Sequence, residues 1–490
     1  MKLSRVIVWV TFLAILAMAT HVAIDSDTWW HLKAGEWMVE HKQLITEDPF
    51  SFTRQGAPWQ YPGLWVQVFM FGVFSMLGAG GMNLWVSGMV VLIFWIVWKT
   101  THGSILTRAL VLILAAAASA IYWAARPYLF TYLFAALYFL LLTQYARGDR
   151  KSLYLLPIIM LVWANSHGGY LAGFLYFGPF LVESGIRFWL ARRQAADQAI
   201  AELKGQFSHL LLIFTLMVVA TFINPQGFTL WKLPFTTVSR QSEQLFIAEW
   251  QSPDFHNQAM LPFALLLIAV FAVFAGSDKK ATIAEILLVS GFGFLSLVSV
   301  RNIFFFVIVA PAVLTDHLSD IFEYIKRQLG IKVHVNFEAA PTKLQSILNV
   351  SLVVIVGLVA MLRVALYLPA ESNLEEFAAV YPVSAVNYLK DARPEGNMFN
   401  SYNYGGYLIW ALPEYPVFVD GRADLYQDEI ILPWYSAYNG IEGWEDLFDQ
   451  WDIGFVVIEP TAPLIKNLEW ANWDLLYLDE VAVVYARPTE

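Results

Sequence analysis

Eleven apolar runs, near residues 5–24, 82–98, 105–124, 128–146, 152–165, 168–190, 208–223, 259–275, 281–299, 302–318 and 346–368, constrain this chain more than any other feature. About 20 apolar residues cross the hydrocarbon core of a bilayer as a helix, and somewhat fewer suffice when the helix is buried among others. The balance of residues agrees: 58% are hydrophobic and only 14% charged, where soluble domains carry about 25% charged residues. The expected fold is an all-α polytopic membrane domain over residues 1–369, with about 11 transmembrane helices, followed by an α/β domain over residues 370–490. Lys2, Arg5, the first apolar run and Ala17-Met18-Ala19 also fit a cleaved signal peptide. A retained first helix is the better reading, because many spans follow it.

A further run, Leu64 to Leu77, is short and broken by Gly72. The excess of Lys and Arg on cytoplasmic loops decides its place. If it does not cross, Lys99 and Arg108, Arg147 and Arg150, Arg187 and Arg192, Lys279 and Lys280, and Lys326 and Arg327 all fall on one side, the cytoplasmic one. Residues 64–77 are then expected as a juxtamembrane helix in the first outer loop, with the N-terminus cytoplasmic. The same topology sends the loops Asp25–Tyr61 and Asn224–Gln258, the C-terminal domain, and the helix ends at Arg126, Asn165–Gly169 and Arg301 outward. The unusual polar residues of the membrane part thus converge on one face.

The net charge of −10 hides an uneven distribution: residues 371–490 hold 5 Lys and Arg against 21 Asp and Glu, the rest 25 against 19. A mildly basic membrane part precedes an acidic outer domain. No basic stripe with a nucleic-acid motif is present, which excludes nucleic-acid partners. The chain has no cysteine, which excludes disulfides, thiolate zinc sites and thiol nucleophiles. In the outer domain, Val417–Val419, Gly454–Ile458, Leu475–Tyr477 and Val481–Tyr485 read as strands, Ser384–Asp391 and Trp444–Trp451 as helices, and Asn400–Tyr407 as a turn.

Asp25-Ser26-Asp27-Thr28-Trp29-Trp30-His31 stands where the first run ends. Ionisable groups at that depth are costly and often functional. A carboxylate pair at i, i+2 can hold a divalent cation such as Mg²⁺ or Mn²⁺, and one carboxylate can act as a general base; two acids in a loop are otherwise simply solvated. His31, four residues after Asp27, and His167, beside a Gly-Gly pair, are ligand or proton-shuttle candidates set against plain interfacial and structural histidines. Arg126 and Arg301 are cations on the side the charge rule disfavours. Their guanidinium groups can clamp a phosphate bidentately or snorkel to headgroups. Glu249 joins a metal or acceptor site or merely flanks a turn, and Asp420, Arg422 and Asp424 form an internal ion pair or touch substrate. Trp29, Trp30 and Trp59 offer faces to a sugar ring or anchor the interface.

The run Asp25–Gly35 with Asp48-Pro49-Phe50-Ser51 resembles the first outer loop of bacterial GT-C-type membrane glycosyltransferases of a poorly characterised branch. Arg126-Pro127, Trp163–Gly169, Asn224-Pro225 and Asp420–Asp424 extend the resemblance over nearly the whole chain. Relatives in that superfamily are the protein O-mannosyltransferases, aminoarabinose transferases and oligosaccharyltransferases. The resemblance implies a bacterial inner-membrane protein, a first-loop acid that is catalytic or binds metal, and a polyprenyl-phosphate sugar donor. Carried over residue by residue, Asp25 or Asp27 is that acid, narrowly Asp27. His167 matches a second-loop polar residue, making Asp27 and His167 the metal-ligand candidates. Two departures stand out: no second Asp-x-Asp lies near an outer loop of the membrane domain, and no sequon-binding motif is recognisable in the C-terminal domain.

The resulting expectation is a sugar transfer at the outer membrane face, from a polyprenyl-phosphate-linked donor to a protein, glycan or lipid acceptor. Asp25 and Asp27 are the catalytic candidates and Arg126 and Arg301 hold the donor phosphate. Trp29, Trp30, His31, Asn165, His167 and Glu249 line the substrate. Membrane lipids surround the chain. A transporter or flippase of lipid-linked sugars would share this frame but want polar residues at mid-bilayer depth, and a non-enzymatic scaffold would leave Asp25 and Asp27 dispensable.

Overall fold

The structure, a computed structural model, describes residues 1–194, 197–232, 247–330 and 336–488; the middle of the second outer loop lies outside the described residues. The membrane part is a bundle of α1 (Leu3–Ala19), α2 (Ser26–His41), α3 (Leu64–Thr100), α4 (Ile105–Ser119), α5 (Tyr128–Ala146), α6 (Leu155–Ala164), α7 (Ala172–Arg193), α8 (Asp197–Ala220), α9 (Leu261–Gly276), α10 (Ile283–Val298), α11 (Ile303–Leu329) and α12 (Lys343–Tyr367). Seven helices among the described residues are long and apolar enough to cross a membrane, and α1 and α10 are shorter apolar helices. Together with the one-sided charge pattern they make this a membrane protein. Each of the eleven expected runs is helical over most of its length, but α6, at 10 residues, rises only about 15 Å.

The bundle is centred on α11, whose Phe304, Phe306, Val307, Ile308, Val309 and Ala310 are fully buried against α4, α5, α9 and α10. At the other extreme, α12 buries only Ala360, as befits a helix packed mainly on α1 with lipid elsewhere. The first run departs from expectation: α1 stops at Ala19 and residues 20–25 are not helical. Asn83 of α3 explains the stop. Its side chain accepts from the Ala23 N–H at 2.8 Å and donates to Asn373 Oδ1 at 2.8 Å and the Tyr367 carbonyl at 2.9 Å. One buried amide therefore ties the start of the first outer loop to the start of the C-terminal domain.

The segment expected as juxtamembrane helices is helical. α2 runs through the first outer loop, and α3 begins at Leu64 but breaks at Gly78 (φ 62°, ψ −159°), a conformation open mainly to glycine. Two helices crossing this closely need a position without a side chain; a Cβ on Gly35 of α2 would lie 2.2 Å from the Gln67 carbonyl of α3.

The C-terminal part adds α13 (Ala370–Ala378), α14 (Val383–Ala392), α15 (Tyr402–Ala411), α16 (Ala423–Tyr438), α17 (Trp444–Gln450) and α18 (Ile465–Trp470) to a sheet of β1 (Asn397–Asn400), β2 (Ile453–Ile458), β3 (Asp474–Leu478) and β4 (Val483–Ala486). Strand order is β1-β2-β4-β3, with β1 parallel to β2 and the other pairs antiparallel. The apolar run of β2 is buried along nearly its whole length, as a central strand covered on both faces requires. Two expectations are corrected. Residues 417–419 are not a sheet strand: Val417 instead forms an isolated parallel bridge with Ser51 of the first outer loop. The expected turn at 400–407 is the end of β1 and the start of α15, which Ser401 caps through the Asn403 N–H.

Candidate active site

Asp25 and Asp27 are not simply loop residues. Asp25 is the N-cap of α2. Its side chain accepts from the Asp27 and Thr28 N–H groups at 3.2 and 3.0 Å, and Thr28 Oγ1 accepts from the Asp25 N–H at 3.1 Å. This is a reciprocal capping arrangement, legible as Asp25-x-x-Thr28 but read in the sequence as a loop. Asp27 sits in the first turn, where a carboxylate favours the helix dipole. Two further bonds fix the place of Arg126: the Ala125 N–H donates to the Ala23 carbonyl at 2.7 Å, and Thr28 Oγ1 donates to the Ala125 carbonyl at 3.0 Å.

Arg126 is thereby held among three carboxylates. Its Nε pairs with Asp25 Oδ2, and its Nη1 lies 2.7 Å from Asp27 Oδ2 and 3.2 Å from Glu249 Oε1. Burial works against the guanidinium charge, but Asp25, Asp27 and Glu249 outweigh it and hold the pKa well above the ordinary value. Asp27 responds oppositely: burial, opposed by the attraction of Arg126 and aided by Asp25 and Glu249, pushes its carboxyl up to about 7. A carboxyl that titrates near neutrality is suited to general-base work.

Glu249 reaches this cluster because its segment is laced to the start of α11. Ser299 Oγ donates to the Glu249 carbonyl at 2.8 Å, and the Val300 N–H to the Gln251 carbonyl at 2.9 Å. The same lacing lays Trp250 against Arg301, 4.5 Å from guanidinium carbon to ring centroid. Among the described residues Arg301 makes no ion pair with a carboxylate. Of the two expected phosphate-binding arginines it is therefore the one without a carboxylate ion pair among the described residues, and Arg126 is the one bound to acids.

The other candidates are placed less favourably for touching a substrate. Trp29 and Trp30 are each 4% exposed. Trp29 is walled in by Phe74, Phe377, Tyr381, Tyr407 and Trp410, because the C-terminal domain packs directly over α2. These indoles, expected to offer a face to a sugar ring or to the interface, are buried in the core. His31 is also buried, its Nδ1 3.1 Å from Gln67 Nε2; burial and then Arg126 push its pKa well down, so it stays neutral. Asn165 Nδ2 donates to the Leu161 and Ile223 carbonyls at 2.8 and 2.9 Å, a structural tie between helix ends.

His167 Nδ1 accepts from the Gly169 N–H at 3.0 Å and meets Thr131 Oγ1 at 2.9 Å. Burial and then Arg301 lower its pKa to about 3. Of the expected Asp27–His167 metal pair, Asp27 Oδ2 is engaged by the Arg126 guanidinium, and His167 Nδ1 by Thr131 and Gly169. Among the described residues no group of three or more His, Asp or Glu is disposed to hold a metal ion.

A cavity of about 640 Å³ opens elsewhere, at the end of α5 opposite Arg126. Its charged lining is largely self-paired, Arg150 with Glu202, Arg187 with Glu183 and Lys279 with Asp316, and it lies away from the acid cluster.

No family model matches the chain, and no curated protein matches its sequence. Solved structures do match its fold. The aminoarabinose transferase ArnT from Cupriavidus metallidurans, in the apo state, superposes with a TM-score of 0.52 at 14% identity, over 99% of this chain and 97% of that one. The archaeal oligosaccharyltransferase AglB from Archaeoglobus fulgidus, in complex with an inhibitory peptide and a dolichol-phosphate, superposes with a TM-score of 0.52 at 12% identity, over 92% of this chain and 69% of that one. The fold is that of the GT-C membrane glycosyltransferases. In this GT-C fold the acid-bearing start of α2, Arg126 at the head of α5 and the segment around Glu249 meet at one place. Sequence reasoning missed Asp48 and Gly421 as parts of that neighbourhood, although both stand in the motifs that carried the resemblance.

Proposed function

We propose that this chain is a glycosyltransferase that moves a sugar from a polyprenyl-phosphate-linked donor to an acceptor at the extracytoplasmic face of the bacterial cell membrane. The observation that carries this reading is Asp27. It is a largely buried carboxyl titrating near neutrality, paired with Arg126, in the first outer loop of a GT-C fold. Two neighbours of that fold were solved with a dolichol-phosphate and with undecaprenyl phosphate, which supports a lipid-phosphate donor here.

Asp27 is the general base. It takes the proton of the acceptor hydroxyl as that oxygen attacks the anomeric carbon. The bond from that carbon to the donor phosphate breaks with inversion, and the phosphate leaves as the polyprenyl phosphate. Arg301, without a carboxylate partner among the described residues, meets the charge that grows on the departing phosphate. Arg126 orients Asp27 and, with Glu249 and Asp25, sets its proton affinity. Asp25 serves chiefly as the cap that fixes the first turn of α2.

The test uses purified protein in nanodiscs with a panel of polyprenyl-phosphate monosaccharides, following release of polyprenyl phosphate by mass spectrometry. Turnover that Asp27→Asn abolishes and Asp25→Asn only reduces is the expected result. Retention of one lipid-linked sugar without release of its phosphate, in wild type, would replace this reading with transport.

A further inference from the structure

The C-terminal domain reaches the acid cluster through Asp420-Gly421-Arg422. A Cβ built on Gly421 would lie 1.8 Å from Asp27 Oδ1 and 2.9 Å from Asp27 Cγ. Gly421 is not among the glycines with left-handed backbone, so the reason for glycine here is space and not conformation. Any side chain at position 421 would displace the Asp27 carboxyl from its place beside Arg126.

Arg422 anchors that glycine. Its side chain is fully buried and donates from Nε to Asp420 Oδ1 at 2.9 Å, from Nη2 to Asp420 Oδ2 at 2.6 Å and from Nη1 to Asp48 Oδ1 at 2.5 Å. The guanidinium lies over the rings of Trp59 and Phe50 at 4.8 and 5.3 Å. Asp48 also accepts from the Phe50 and Ser51 N–H groups at 3.1 Å each, and Tyr426 Oη donates to Asp420 Oδ2 at 2.5 Å. Alongside, the Val417 N–H donates to the Phe50 carbonyl at 3.1 Å, the Phe52 N–H to the Val417 carbonyl at 3.2 Å, and Thr53 Oγ1 to the Phe418 carbonyl at 2.6 Å. A buried ion cluster of this kind is a costly way to gain stability, but it fixes one geometry.

We propose that Gly421 is a backstop that sets the position of the Asp27 carboxyl and closes one side of it to water, and that Arg422 is a positioning residue acting through Gly421. The C-terminal domain is on this account a working part of the catalytic site and not a separate appendage. The inference rests on the proposed role of Asp27 only for its kinetic consequence; the geometry it asserts is open to a measurement that needs no turnover.

That measurement uses the absence of cysteine from the chain. Asp27→Cys introduces a single thiol, whose rate of labelling by a water-soluble maleimide is read in nanodiscs. In the Asp27→Cys background, Arg422→Met and, separately, Gly421→Ala are expected to raise that rate at least fivefold. A thiol at the exposed Leu475, introduced alone, is expected to label at one rate with or without Arg422→Met, which shows that the domain remains folded. Equal rates at position 27 in wild-type and both altered backgrounds would overturn the proposal, whatever any donor assay gives. Where a donor is turned over, Gly421→Ala is expected to lower kcat at least tenfold with donor KM unchanged, and Arg422→Lys to retain more kcat than Arg422→Met. A kcat left intact by Gly421→Ala would also overturn it, while failure of every donor to react would count against the transferase reading alone.

Discussion

Arg126 Nη1 lies 3.2 Å from Glu249 Oε1, a contact between residues 123 positions apart in the chain. It joins the second outer loop to the first, because the same guanidinium also holds Asp25 and Asp27. Burial raises the proton affinity of Asp27 against the attraction of Arg126, and the other two acids facing that one cation add to the rise.

Removing that cation has two consequences. Arg126→Gln leaves three carboxylates without their partner, at a cost of about 3 kcal/mol of stability, read as a lowered midpoint of thermal unfolding in detergent. It also withdraws the one interaction with Arg126 that lowers the Asp27 pKa. Residual turnover is expected to shift its pH dependence toward alkaline values.

The pH dependence of the wild-type enzyme follows from the same residue. A general base works only when deprotonated, and the Asp27 carboxyl titrates at about 7. The rate with limiting donor is expected to fall about tenfold per unit below that value and to level off above it. A profile flat from pH 5 to 8 would remove Asp27 from that role.

Folding stability is expected to show the opposite sign. A folded-state pKa raised from 3.8 to about 7 means that the native chain binds a proton the unfolded chain has lost between those values. The contribution of Asp27 to stability therefore falls as pH rises from about 4 to 7. Asp27→Asn has no such titration. Its unfolding midpoint, compared with wild type at each pH, is expected to be relatively higher at pH 8 than at pH 5, although it turns nothing over.

Arg301 is expected to act on donor binding. A charge-assisted hydrogen bond is worth about 1.5–3 kcal/mol, so Arg301→Ala should raise the donor KM by about one to two orders of magnitude. Arg301→Lys, which keeps the charge but not the fork of donors, should recover part of it. Truncating Trp250, the ring beneath Arg301, should raise KM less than truncating Arg301.

Much of the site was visible in the residues themselves. The residues mark Asp27, Arg126 and Glu249 one at a time, the acid by its position after an apolar run and the arginine by its place on the side the charge rule disfavours. Their meeting was not visible, since Glu249 is brought in by backbone bonds to Val300 and Ser299. Trp29, Trp30 and His31 show the limit most clearly. A tandem indole pair beside a membrane reads as an interfacial belt, but α15 packs across α2, with a Cβ on Gly406 reaching within 2.1 Å of the Ser26 carbonyl, and turns that face into core.

The residues alone specify many membrane-length apolar helices, an acidic C-terminal segment, and polar groups gathered at one end of those helices. Those properties are local and additive: each run is apolar enough, and each flanking charge counts once, wherever the other segments go. Only the tertiary structure decided which acid is paired, which arginine is without a carboxylate ion pair among the described residues, and that residues 420–422 close on Asp27. These depend on separations of a few ångströms between segments hundreds of residues apart, where electrostatics and packing change steeply with distance and no periodicity in the chain records them.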